Sequence, residues 1–120
     1  MTDSDTIFGK IIRREIPADI VYEDDEVLAF RDIAPQAPVH VLFIPKNVAI
    51  PTLDDLQASD AELVGKLVLA AANYARQEGF AQDGYRVVMN CRDYAGQTVF
   101  HIHLHLLAGA PLGRFGTPRE

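Results

Sequence analysis

Val99-Phe100-His101-Ile102-His103-Leu104-His105-Leu106-Leu107 alternates imidazole and aliphatic side chains through its middle. A period of two belongs to a β-strand, so the run predicts a strand over 99–107 with three histidines on one face and Ile102, Leu104 and Leu106 on the other. Strand rise would set successive histidines about 6.5 to 7 Å apart. One strand could then serve a site and a core at once. A lone histidine of this kind is commonly an exposed residue on an open sheet face. Three at alternate positions beside a glycine-containing loop point instead to a site, because a buried imidazole needs a partner at each polar edge.

Working outward, 92–97 reads as a loop around Gly96, and 85–91 as the strand before it. Residues 60–78 carry Leu63, Val64, Leu67, Val68, Ala71, Ala72 and Ala75 at helical spacing, with a Ser59/Glu62 capping box before them and Gly79 as the stop. Residues 39–44 are apolar except for His40 and end at Pro45, which predicts a largely buried strand. The two prolines in 32–38 suit neither a helix interior nor a central strand, so this is a rigid loop. The runs 20–23 and 27–30, split by Asp24-Asp25-Glu26, form a hairpin. Ile7, Phe8, Ile11 and Ile12 mark a short amphipathic helix over 6–14, preceded by polar Ser4 and Asp5 and followed by Pro17. Beyond Leu107, glycines and prolines predict an irregular tail. The expectation is an α+β fold: an antiparallel sheet of about five strands, covered on one face, with one long and one short helix. It forms a single domain over 1–120, with its core at about 6–109 and the tail at 110–120.

The chain has 120 residues and a formal net charge of -6, which disfavours a nucleic-acid polymer as partner but admits a small phosphorylated ligand. One cysteine, Cys91, rules out an intrachain disulfide framework and suits a reducing compartment. The acidic amino terminus lacks the features of a secretory signal, and no apolar run reaches the roughly 20 residues that a membrane helix needs. A cytoplasmic location is expected, with no membrane partner.

Two chemistries compete for the histidines. Neutral imidazoles ligate zinc, and His40 could supply a fourth nitrogen. Against this, there is no CxxC or HExxH, and no carboxylate lies within the triple. Gly96-Gln97-Thr98, just upstream, looks like main chain and hydroxyl suited to a phosphate. The expectation is therefore phosphate chemistry, with no metal and no cofactor. Asp32, between a strand and the proline loop, is a carboxylate able to accept two hydroxyl protons, as a ribose diol would offer.

The pattern His-φ-His-φ-His-φ-φ, where φ is apolar, with Asn90 and Gly96-Gln97-Thr98-Val99-Phe100 before it, resembles the signature of the histidine-triad superfamily. Thr6-Ile7-Phe8-Gly9-Lys10-Ile11-Ile12, Ile16-Pro17-Ala18 and Phe30 through Lys46 are similar to the Hint branch, the purine nucleoside phosphoramidases. The resemblance spans roughly 6–109. It implies a HIT-like fold, a homodimer, and hydrolysis of AMP or GMP conjugates at the α-phosphorus through a nucleotidyl-histidine. It gives His103 the role of nucleophile, places His105 on a non-bridging phosphate oxygen, and has His101 orient the nucleophile. His40 joins the proton network. Asn90 and Thr98 would lie near the phosphate and Asp32 near the ribose, while Ile7, Phe8, Ile16, Phe30, Ile33 and Leu42 match the base pocket. Most of these apolar residues should also be plain core. The tail departs from the animal pattern, because this chain has no tryptophan. Two other functions fit the same motif: a dinucleoside polyphosphate hydrolase, and a non-catalytic scaffold that only binds purine nucleotides.

Overall fold

The computed structural model describes residues 6–118. Helix α1 (Ile7–Ile12) starts at Thr6, whose Oγ1 accepts the N–H of Gly9 at 3.2 Å. Ser4 and Asp5 lie outside the described residues. Strands β1 (Ile20–Glu23) and β2 (Val27–Arg31) form the expected hairpin. Its turn is closed by Asp24, which accepts the N–H groups of Glu26 and Val27, each at 2.8 Å. Strand β3 (Val39–Pro45), helix α2 (Ala61–Glu78), strand β4 (Arg86–Val88), helix α3 (Arg92–Ala95) and strand β5 (Leu104–Ala108) follow. The sheet is antiparallel throughout, in the order β1-β2-β3-β5-β4.

Strands β2 and β3 sit inside the sheet and are buried on both faces, so they lack clean polar alternation. Val27, Ala29, Val41, Phe43, Leu104 and Leu106 turn toward Leu67, Ala71 and Tyr74 of α2. Leu28, Phe30, Leu42 and Ile44 turn the other way and pack beneath Phe8 and Ile11 of α1. The sheet is thus covered on both faces, not one. The short helix does the covering on the second side because its Phe8 and Ile11 fall three residues apart on one stripe. No helix among the described residues is long and apolar enough to cross a membrane.

Several expected boundaries shift, each for a physical reason. The strand expected over 99–107 begins only at Leu104, where the β3 ladder ends at the pair Phe43 and Leu104. Before it, the Ile102 N–H donates to Ile50 O at 2.8 Å, outside the sheet. The strand expected over 85–91 shrinks to Arg86–Val88, because β5 offers partners only from Leu107 to His105. The loop over 92–97 contains the single-turn helix α3, stopped by Gly96 at a φ of +86°. The capping box lies two positions earlier than expected: Asp60 accepts the Gln57 N–H at 2.8 Å across the 3-10 turn Ala58–Asp60, which runs directly into α2. Ser59 is therefore inside a turn, not at a cap. Over the described residues 110–118 the chain has no regular structure, although Arg86 ties it back by donating to Gly113 O at 3.0 Å and lying 5.0 Å over the Phe115 ring.

Gly109 closes the end of β5 against the proline loop. Its φ is +96°, and a Cβ there would lie 2.9 Å from the Pro38 Cβ. Gly109→Ala should therefore cost about 1 to 3 kcal/mol of stability through strain and overpacking. Gly113 has open space around it, so Gly113→Ala should shift stability by less than about 0.5 kcal/mol. Urea midpoints at constant slope measure both.

Candidate active site

The sheet register builds one row of the site directly. Phe30 pairs with Leu42, and Leu42 with His105, so the three stand side by side across β2, β3 and β5 on the face opposite α2. His103, two residues earlier, has left the ladder but keeps the same parity, with Ile102 and Leu104 buried toward α2. The alternation expected from the sequence thus survives although the strand does not reach that far. His101 and His103 are both buried, not exposed on an open face.

The buried rings are tied to main chain. His101 donates from Nε2 to Pro45 O at 3.0 Å, and His103 donates from Nδ1 to His101 O at 2.8 Å. A carbonyl oxygen can only accept, so the His103 proton sits on Nδ1 and its Nε2 keeps a lone pair. The Phe8 ring stands edge-on to His103, with centroids 5.0 Å apart, and edge-on to Phe30 at 5.4 Å. His40, from β3, lies behind: its Nε2 is 2.8 Å from His105 Nδ1 and 3.5 Å from Asp32 Oδ2, and its Nδ1 accepts the Gln36 main-chain N–H at 3.0 Å.

The segment leading to His103 is fastened by Gln97. Its buried amide donates to Pro51 O at 2.8 Å and to Val99 O at 3.0 Å, while its Oε1 accepts the Arg92 N–H at 2.8 Å. Its own N–H donates to Arg92 O at 3.1 Å. Gln97 is therefore spent on holding the loop, and Gly96 serves as the positive-φ stop of α3. Thr98 and Val99 are the residues that this loop presents to a cavity of about 310 Å³.

Of the residues singled out from the sequence, the cavity wall gathers Phe8, Phe30, Asp32, Ile33, Leu42, Thr98, His103 and His105, together with Ile7 and Ile16. His40, His101, Asn90, Gly96 and Gln97 are not on it. Val99, Pro17 and Ala18 join the wall without having been singled out, since nothing separates them from ordinary core and turn residues. Phe8, Phe30 and Leu42 double as core, whereas Ile33 is 96% exposed, at the lip of the cavity.

Burial holds His40, His103 and His105 toward the neutral form. His105 is pushed down from 6.5 to about 4, first by burial and then by the charges that His103 and His40 would carry. Burial likewise lowers His103 and His40 against the opposing pull of Asp32. Among the described residues, Asp32, His40 and His105 bring one ligand atom each within 4.8 Å of one another, a grouping able to hold a cation. Within this grouping His40 Nε2 and His105 Nδ1 are already engaged with each other.

A profile for the HIT domain matches residues 13–112. Over 109 residues the chain is 59% identical to the purine nucleoside phosphoramidase of Escherichia coli (strain K12), covering 91% of each chain. It is 51% identical over 110 residues to the 14 kDa zinc-binding protein of Zea mays, covering 91% of this chain and 85% of that one. The crystal structure of a HIT family hydrolase from Legionella pneumophila Philadelphia 1 shares the fold with a TM-score of 0.88 at 47% identity, covering 91% of this chain and 96% of that one.

The depressed histidines make stability depend on pH in a defined direction. Unfolded, these side chains titrate near 6.5; folded, His105 titrates near 4 and the other two also below 6.5. In that window the unfolded chain binds more protons, so stability falls as pH drops below about 6.5 and is retained above it. His105 alone accounts for roughly 3 kcal/mol over the whole window. Urea unfolding at about pH 7.5 and about pH 5 should show the loss, and equal stability at both would contradict the burial argument.

Proposed function

The chain belongs to the HIT family, and on that premise we propose that it hydrolyses purine nucleoside phosphoramidates of the adenosine 5′-monophosphoramidate type, releasing AMP or GMP and an amine. The observation that carries this reading is the state of His103. It is a buried, neutral imidazole whose Nδ1–H is held by the His101 carbonyl, with its other nitrogen at the wall of an apolar cavity. A nucleophilic imidazole needs that arrangement, one edge fixed and one lone pair presented.

In the proposed reaction His103 Nε2 attacks the α-phosphorus, the P–N bond breaks and the nitrogen leaves as an amine after gaining a proton. Water then attacks the nucleotidyl-imidazole, the His103–phosphorus bond breaks, and the nucleoside monophosphate departs. The proton given up by water balances the one taken by the amine. His105 and the Thr98 hydroxyl contact phosphate oxygens, and Asp32 accepts the ribose hydroxyls. Phe8, Phe30, Leu42 and the exposed Ile33 hold the purine. His101 orients His103 through its carbonyl, and His40 supports His105. Asn90, Gly96 and Gln97, set back from the wall, shape the loop behind Thr98. No metal or cofactor enters these steps.

A cytoplasmic homodimer completes the reading. Support for pairing comes from two features: Val68 and Leu69 on α2 are 46% and 55% exposed, and β4 is an edge strand of the sheet. Light scattering should return about twice the chain mass of 13.3 kDa.

Activity is tested by supplying an adenosine phosphoramidate and diadenosine tetraphosphate separately and following AMP release. Cleavage of the phosphoramidate is expected. Preferential cleavage of the tetraphosphate selects the dinucleoside polyphosphate hydrolase, and no release from either leaves a binding protein. His103→Ala should lose several orders of magnitude in kcat while retaining nucleotide affinity, because the cavity and Asp32 remain. In a His105→Ala background, which slows turnover, mass spectrometry should find the AMP adduct on His103; an adduct elsewhere refutes the assignment.

A further inference from the structure

The hydrogen bond between His40 and His105 has a direction that neither ring sets by itself. Two neutral imidazoles in contact can place the shared proton on either nitrogen. If His40 donates, His105 carries its own proton on Nε2 and presents an N–H. If His105 donates, its Nε2 is bare. These are opposite chemistries at the same atom.

The choice is made from outside the pair. The main-chain N–H of Gln36 lies 3.0 Å from His40 Nδ1, and an amide N–H can only donate. His40 Nδ1 must then hold a lone pair, which leaves its proton on Nε2, facing His105 Nδ1 at 2.8 Å. His105 must in turn keep its proton on Nε2. The reverse order would set two N–H groups against each other between Gln36 and His40. Asp32 Oδ2, 3.5 Å from His40 Nε2, lies on the protonated side and favours the same order. Burial keeps both rings neutral near pH 7, so one proton per ring is the state in question. His103 is the opposite tautomer, with its proton on Nδ1 held by His101 O. Two rings with centroids 5.0 Å apart therefore offer the cavity a lone pair and an N–H respectively.

We propose that the main-chain N–H of Gln36 is a positioning group for the reaction: acting through His40, it fixes His105 as an Nε2–H donor beside the bare Nε2 of His103. The chemical consequence rests on the phosphoramidase reading. A phosphoryl oxygen that gains charge as His103 attacks is stabilised by a fixed N–H and repelled by a bare nitrogen. The segment carrying Gln36 is held in place, since the Asp32 N–H donates to His40 O at 2.9 Å and the Ala34 N–H to Asp32 Oδ1 at 2.8 Å.

Long-range proton–nitrogen correlation spectra of the imidazoles in the full chain test this without any substrate. His40 and His105 should each show a pyrrole-type Nε2 and a pyridine-type Nδ1, and His103 the reverse. Exchanging Gln36 for its α-hydroxy acid analogue replaces the N–H by an ester oxygen and keeps the side chain. That oxygen draws the His40 proton to Nδ1 and turns His105 over, so kcat should fall roughly 10- to 100-fold with KM changed less than about 2-fold. Gln36→Ala keeps the N–H and should keep the native tautomers. A His40 found with its proton on Nδ1 in the unaltered protein overturns the proposal, as does an ester form with native His105 tautomer and kcat. Native tautomers in a protein that cleaves no phosphoramidate would uphold the assignment of the rings and defeat the functional reading alone.

Discussion

Antiparallel pairing of β3 with β5, in the register that sets Leu42 opposite His105, is the constraint from which both layers of the molecule follow. Parity does the sorting. Val41, Phe43, Leu104 and Leu106 fall toward α2, while His40, Leu42 and His105 fall toward the cavity. A slip of β5 by one residue would turn every one of its side chains over. Leu104 and Leu106 would then leave the α2 layer and only Leu107 would replace them, a net cost of about 1.5 to 3 kcal/mol, while His105 would enter it without a partner, at roughly another 2 to 7. The apolar side of the sheet thus enforces the register, and the histidine side inherits its geometry.

Desolvation and a carboxylate act on the same imidazoles with opposite sign, and desolvation prevails. Asp32 stands 3.5 Å from His40, close enough in principle to favour a charged ring. Its side chain keeps contact with solvent, which damps its field. His103 is enclosed by Phe8 and the α1 cluster, where a charged ring has lost its water and gained only one carbonyl. The neutral form therefore wins, and with it the lone pair on which nucleophilic chemistry depends. The small helix α1 matters here more than its length suggests, because Phe8 both seals the second face of the sheet and packs the edge of the His103 ring.

Patterned features were legible in the sequence. The alternation around His103, the long helix, the hairpin and the proline loop each follow from a period or a turn residue, and His40 stood out as the one polar residue in an apolar run. Strand ends were not legible. Where β5 begins depends on where β3 stops offering partners, a property of two distant segments. The same holds for β4. Gln97 read as a phosphate contact because its neighbours Gly96 and Thr98 suit one, yet its amide is buried and bonded to Pro51 O and Val99 O. No local signal marks an amide that bridges forty-six positions. How exposed Ile33 would be was not legible either: its place after Asp32 in an irregular loop sets it on the rim of the cavity, apart from the buried Phe8, Phe30 and Leu42. His40, His101 and His103 each bond a main-chain group, and main-chain groups carry no identity that a sequence could display.

The proline loop carries two roles that converge on one ring. Asp32 reaches the cavity, and its own N–H is fixed by the carbonyl of His40. Four residues on, the Gln36 N–H is fixed by the imidazole of the same residue. His40 therefore holds the loop by main chain at one end and by side chain at the other, while its remaining nitrogen faces His105. Any movement that takes Asp32 away from a ligand also disturbs the bond that orients the His40 ring, and any reorientation of that ring loosens the loop. Pro35 and Pro38 restrict the unfolded loop and lower the entropy lost on closing it, and Gly109 lets Pro38 approach the end of β5 without a collision. The position of Asp32 and the orientation of His105 are thus mechanically one arrangement, hung on a single buried residue, His40, whose two ring nitrogens and carbonyl oxygen are all in use.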